Sequence, residues 1–457
     1  MSPYLTASTG TGGINGVHGL DEFNGYLGYN LSDYSSAIRP VISINANNIY
    51  KSGNGSSASP YEIETTASYE VTLTVNNGTG SGKVNVKEGN NATFTVTPSS
   101  GYLAELETNA CGGTLSGSTY TISNVTSSKT CSISFKKEIP TLYTKLITDK
   151  STVLTRTDFS TAFITRNTKT LYTAREDGTT VYYFAGNATD NWVKFGKNES
   201  NQDLFWRIIR TNSEGSVRLL YHGTSTTTTD AYIGTSKFNS YAYNIGYVSY
   251  MYGSSGSIAN ARANQKNSST IKTTIDNWYT SNLEAKGYTK YLSRTAVYCN
   301  DRSTPDNYDF EAFTRLKTNK TPTYDCATTE DKFTVDSSTG NGKLTYPIAL
   351  MTADEVSFAG GLYGTNAPTW YYYNSANGSS IDSTFWWLLS PHSWTDSAPG
   401  VFGVIGSSHP GYLNYSVVGT GGVRPALSLK SCVKYSSGDG SASAPYTIKE
   451  TETETGC

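Results

Sequence analysis

Residues 38–63 read IRPVISINANNIYKSGNGSSASPYEI, and residues 423–448 read VRPALSLKSCVKYSSGDGSASAPYTI. Arg424 minus Arg39 gives an offset of 385, and Tyr50 with Tyr435, Pro60 with Pro445 and Tyr61 with Tyr446 keep that offset without a gap. About 11 of the 26 aligned positions are identical, and recurrence in register is the mark of an array. A chance recurrence of a Gly/Ser turn is the competing account, but it does not explain why R-P, S-G-x-G-S and P-Y-x-I recur together. The chain therefore reads as one period plus an overlap. Residues 1–63 are expected to be the tail of a preceding C-terminal-type module, and residues 449–457 a linker to a next unit.

Between the overlaps lie two textures. Residues 64–137 alternate with period two, as in Tyr69–Val75 and Ala92–Val96, with Gly and Asn turns between the runs. That pattern predicts a small antiparallel β-domain. NGTGSGKV is not a phosphate loop, because Asn77 and Val84 stand where Gly and Ser/Thr are needed. Residues 138–170 read as a linker with a short helix at Thr157–Phe163. Residues 171–448 mix strands and a few helices. Leu204–Ile209 and Val217–Tyr221 predict a hairpin across Asn212–Gly215. Ser268 or Ser269 predicts the cap of a helix with Ile271, Ile275, Trp278 and Leu283 on one face, stopping at Gly287, and Thr352-Ala-Asp-Glu355 predicts a capping box stopped by Gly360-Gly361. The expected fold class is mostly β with minor α (α+β).

Composition excludes several functions. The net charge of -2 comes from 35 basic and 37 acidic residues without any charged block, so neither nucleic acid nor an anionic membrane is an expected partner. Charged residues make up only 16% of the chain, and 35 tyrosines together with Ser, Thr, Asn and Gly take their place. No apolar run is long enough to span a membrane, and MSPYLTASTGTGG has no signal-peptide pattern. A secreted protein of this sequence would carry its address and anchor elsewhere. The six cysteines fall as Cys111 and Cys131, Cys299 and Cys326, Cys432 and Cys457. Three local disulfides are the economical pairing and require an oxidising location; six unpaired buried thiols are the other reading.

A resemblance follows from the motif order. V-T-L-T-V, G-x-G and F-T-V-T-P-x-x-G-Y, here Val71–Val75, Gly80–Gly82 and Phe94–Tyr102, resemble the Listeria–Bacteroides-type extracellular repeat, which implies a stalk. W-R-I-I-R, M-T-A-D-E-V-x-x-A-G-G, W-W-L-L-S-P and G-V-R-P-A-L are similar to a bacterial, Firmicutes-type surface domain of the DUF6273 kind. The last third also resembles the C-type-lectin-like fold shared with formylglycine-generating enzymes. That resemblance implies a larger C-type-lectin-like α+β display module with Trp387 and Arg424 as framework. The enzyme branch's cysteines have no counterpart between Cys326 and Cys432.

No H-E-x-x-H, G-x-S-x-G or calcium loop occurs among the motifs, and no cofactor or metal is expected. Asp354 and Glu355 fit a helix cap better than acid–base work. The expected binding region is His392–Tyr415, where Trp394, His392, His409, Tyr412, Asn414 and Tyr415 mix aromatic anchors with adaptable polar groups, helped by the aromatic run with Trp370 and Tyr372. Three functions stay open. The leading one is a non-enzymatic cell-surface adhesin binding a host or microbial surface glycan or protein. The others are a filament or array subunit joining neighbouring copies of itself, and an enzyme acting on cell walls or glycans.

Overall fold

A strand with every second residue apolar has one face to bury, and that rule shapes the smaller of two units. The structure is a computed structural model describing residues 4–9, 16–20, 27–31, 40–44, 50–63, 67–227, 231–304, 308–365, 369–373, 385–395, 398–405 and 415–450. It divides into residues 1–138 and 139–457. Strand outweighs helix, 39% against 15%, so the chain is mostly β.

In the first unit, Tyr102–Asn109, Lys129–Lys137, Ser68–Asn76 and Gly82–Lys87 form a four-stranded sheet in that order. Thr114–Ser116, Thr119–Ile122 and Ala92–Thr95 form a three-stranded one. Val71, Leu73, Phe94, Tyr120, Ile133 and Phe135 fill the core, as the alternation requires. The purely antiparallel expectation is corrected at the centre of the larger sheet. There the first and last strands run parallel, from Val71 opposite Lys129 to Asn76 opposite Ser134, because the intervening strands act as a crossover. Cys111 and Cys131 are bonded, with Cα atoms 5.5 Å apart. Upstream, Tyr50–Ser52 pairs with Glu62–Ile63.

The second unit is built on a ten-stranded sheet. The predicted hairpin forms from Asp203–Thr211 and Val217–Gly223, and the strand Pro425–Leu429 lies between Val217–Gly223 and Ile348–Leu350 with every residue buried. The helix Thr270–Tyr279 is capped by Ser269, whose hydroxyl accepts from Lys272 N; Gly287 follows at φ 75°. The capping box at Thr352 and Glu355 forms, and Gly360 at φ 114° ends the turn. Cys299 and Cys326 are bonded, with Cα atoms 5.7 Å apart; of the third predicted pair, Cys457 lies outside the described residues. Two disulfides place the chain in an oxidising environment. No helix among the described residues is long and apolar enough to cross a membrane.

Residues 138–170 are corrected from linker to structure. Leu142–Asp149 is a helix capped by Thr141, with Leu142 and Leu146 buried, and Thr152–Thr155 adds a parallel strand beside Thr170–Glu176. The helix predicted at Thr157–Phe163 does not form. Arg156 stacks instead on the rings of Phe159 and Phe163, and the Phe163 N–H is taken by Gly360 O at 2.9 Å. Tertiary partners thus outcompete a local helix.

Candidate functional site

Trp386 and Trp387, on the long strand Phe385–Thr395, point away from solvent, and this strand decides which of the predicted binding residues are reachable. Trp387 donates from Nε1 to Ser236 O at 2.8 Å and meets the edges of Phe238 and Phe385. Arg424 lies under the sheet, donating to Tyr221 O at 3.0 and 3.1 Å and to Tyr372 O, with its guanidinium 4.8 Å from the Trp386 ring. Burial pulls its pKa down to about 10, so it remains a cation held by carbonyl oxygens and a ring face. Both side chains are fully buried.

The aromatic run is a correction. Trp370 and Tyr372 stack at 5.4 Å and are fully buried, and Trp370 Nε1 donates to Phe163 O. They close the core and present no ring to a ligand. His392 is corrected too. It is buried among Phe313, Phe402 and Tyr363, and burial, aided by Lys317, pulls its pKa down to about 3, so it is neutral at physiological pH. Trp394 is half-buried, its backbone N–H donating to the carbonyl of exposed Tyr308 at 2.6 Å. His409, Tyr412 and Asn414 lie outside the described residues. Tyr415 pairs through its backbone with Val401, and its side chain lies outside the described residues.

An exposed aromatic cluster stands elsewhere in this unit, at residues not singled out above. A 3-10 turn, Ile245–Val248, begins at Asn244, whose Oδ1 accepts from Gly246 N at 2.9 Å and Gly256 N at 2.6 Å. The turn turns Tyr247 inward, 5% exposed, while Tyr241 and Tyr243 remain 53% and 64% exposed. Their ring centroids lie 5.6 and 5.3 Å from Tyr247, and the Tyr247 hydroxyl donates to that of Tyr243 at 3.1 Å. Half-buried Tyr252 meets Tyr247 edge-on at 5.8 Å. One buried ring thus anchors two presented ones, which fixes their spacing at little entropic cost. The turn packs on the strand Ala398–Ile405, so this surface borders the expected binding region His392–Tyr415. Five tyrosines among Asn, Ser and Gly between Tyr241 and Tyr252 were the available signal, the same mixture that singled out His392–Tyr415.

The buried charges around Glu355 and Asp354 leave little space between them. Arg210 bridges Glu176 and Glu355 at 2.8 Å each, and Arg218 meets Glu355 at 2.6 Å. Arg315 bridges Asp301 and Asp354 at 2.8 and 2.7 Å. Against the cost of burial, the guanidiniums beside Glu355 hold its carboxyl below the usual glutamate value, whereas burial raises Asp301 above the usual aspartate value. The enclosed space they line is about 20 Å³, room for one water and no substrate. Asp354 and Glu355 are thus committed to ion pairs and the helix cap. Among the described residues no group of three or more His, Cys, Asp or Glu is placed to hold a metal.

Compared with protein-family models, curated proteins and solved structures, the chain matches none of them.

Proposed function

We propose that this is an extracellular, cell-surface protein that binds a surface glycan, without catalysis, through the tyrosine face of its larger unit, with the β-repeat as stalk. One observation carries the reading: Tyr241 and Tyr243, each more than half exposed, stand at fixed spacing on the buried hub of Tyr247. Sugar rings present C–H faces that stack on such aromatic faces, and the nearby exposed Ser240 and half-buried Asn244 are of the kind that hydrogen-bond hydroxyls. Two disulfides and a surface poor in charge fit an extracellular setting, and the resemblance to bacterial display modules supports the same reading. Trp394 and Tyr308 offer a smaller second aromatic edge.

The test is an array of immobilised host and microbial oligosaccharides probed with the whole chain. The wild type is expected to bind a defined subset, and Tyr241→Ala with Tyr243→Ala to lower affinity at least about tenfold, as loss of two stacking faces implies. The melting temperature should barely move, because both rings face solvent. Unchanged binding by the double variant, or no retention of the wild type on any glycan, would overturn the assignment.

A further inference from the structure

The stretches 50–63 and 435–448 share not only sequence but one hairpin geometry. Tyr50 pairs with Ile63 and Ser52 with Glu62, with one irregularity between them; Tyr435 pairs with Ile448 and Ser437 with Thr447 in the same way. Gly53 and Gly55 have φ of 98° and 83°, and Gly438 and Gly440 have 96° and 83°. Asn54 Oδ1 accepts from Ser56 N at 3.1 Å, as Asp439 Oδ1 does from Ser441 N at 2.9 Å. The paired tyrosine rings stand 6.2 and 6.3 Å apart.

Among the described residues, the second copy is seated and the first is not. Its strand Tyr446–Ile448 runs parallel to the edge of Trp192–Lys197, with Val193 opposite Tyr446 and Lys194 opposite Thr447. Trp192 N donates to Gly440 O at 2.8 Å. The Tyr446 hydroxyl donates to Asp149 Oδ2 at 2.9 Å, and the buried Lys150 ammonium lies 5.4 Å from its ring. In the first copy the matching Tyr61 is 69% exposed.

We propose that hairpin 50–63 is a docking element that takes the seat of hairpin 435–448 on a second copy of this chain, displacing that copy's own hairpin and linking copies head to tail. The resident hairpin is the last pair of strands on its side of the sheet, so its matching copy can cover Tyr446's place in the core without any other strand moving, and strand addition at an edge is a common recognition mode. The offset of 385 places Glu62 where Thr447 stands, opposite Lys194, whose ammonium meets Asp203 at 3.3 Å, so the incoming carboxylate would share that half-exposed cation. Seat and hairpin are different surfaces, so repetition yields an open chain of copies and not a closed dimer. This inference is independent of the glycan-binding reading.

The test mixes two full-length variants, Lys194→Cys in one and Glu62→Cys in the other, with a short bismaleimide. A 62–194 linkage between them can form only between copies. The expected result is a cross-linked dimer carrying that peptide, with yield reduced roughly tenfold when Tyr61→Ala is added to the Glu62→Cys copy. Adding Tyr446→Ala to the Lys194→Cys copy, which loosens the resident hairpin, should raise the yield. Should that variant not fold, the Tyr61→Ala arm decides alone, since Tyr61 faces solvent. Absence of the 62–194 peptide while a Lys194→Cys/Thr447→Cys chain links internally would overturn the proposal. So would a yield indifferent to Tyr61→Ala, or linkage seen only within a single chain carrying both cysteines.

Discussion

Tyr61 and Tyr446 hold the same place in two copies of one hairpin, yet Tyr61 is 69% exposed while Tyr446 is fully buried. The contrast runs upstream, where Val41, Ile42 and Ile44 are exposed and their counterparts Ala426, Leu427 and Leu429 lie in the core. Hairpin geometry is therefore independent of burial. Its determinants, two glycines at positive φ and an Asx turn, sit within the hairpin itself. Burial comes from other parts of the chain: the edge at Trp192 and Val193, and the Lys150–Asp190 pair beneath it.

The largest expected effect comes from emptying the support under the seated copy. Lys150 Nζ is buried and bonded to Asp190 Oδ2 at 2.6 Å and to Asp190 O at 3.0 Å. Lys150→Ala leaves that carboxylate without its buried partner and should cost about 3 kcal/mol, read by denaturant unfolding of the whole chain. A loss below about 1 kcal/mol would show that the seat does not depend on the pair.

A smaller effect separates the copies directly. A Cβ at Gly440 would lie 2.4 Å from Asp190 O, a backbone atom, whereas at Gly55 it meets only the Tyr61 ring at 2.7 Å. Both glycines have φ of 83°, so the backbone strain is equal and the surroundings differ. Gly440→Val is expected to destabilise the protein by about 2 kcal/mol. Gly55→Val should leave global unfolding nearly unchanged, because no core depends on that hairpin. Equal losses would erase the distinction between a seated and an unseated copy.

The smallest effect is a pH dependence. Hydrogen bonds from Ser441 hold Asp439 below the ordinary aspartate value of 3.8. A depressed acid contributes stability above its unfolded value and loses it as pH falls through its folded value. Asn54, at the matching position, does not titrate. The melting temperature of the wild type should exceed that of Asp439→Asn at about pH 5, and the difference should close by about pH 2. A gap independent of pH would assign the effect to shape and not to charge.

Signals carried by neighbouring residues were legible in advance. The capping box at Thr352 and Glu355, the Ser269 cap and the hairpin turn at Asn212–Gly215 each rest on bonds spanning a few residues. The loops closed by Cys111–Cys131 and Cys299–Cys326 span 20 and 27 residues, short enough for the spacing to suggest the pairing. The tyrosines misled. Trp370–Tyr373 and Tyr241–Tyr252 are both rich in tyrosine, but the first run is covered by Phe163 and Arg424 from more than 50 residues away, and the second stands on its own buried ring.

By itself, then, the sequence determined the mostly β class, the repeat at an offset of 385, the helix caps and the hairpin's backbone, because each depends on φ preferences, side-chain period or hydrogen bonds within a short span. Only the tertiary structure decided the parallel pairing of Ser68–Asn76 with Lys129–Lys137, the helix at Leu142–Asp149 in place of one at Thr157–Phe163, and which tyrosines face water. Those outcomes turn on partners distant in the chain. A buried ring or an occupied sheet edge is a property of two segments together, and neither segment's residues specify the other.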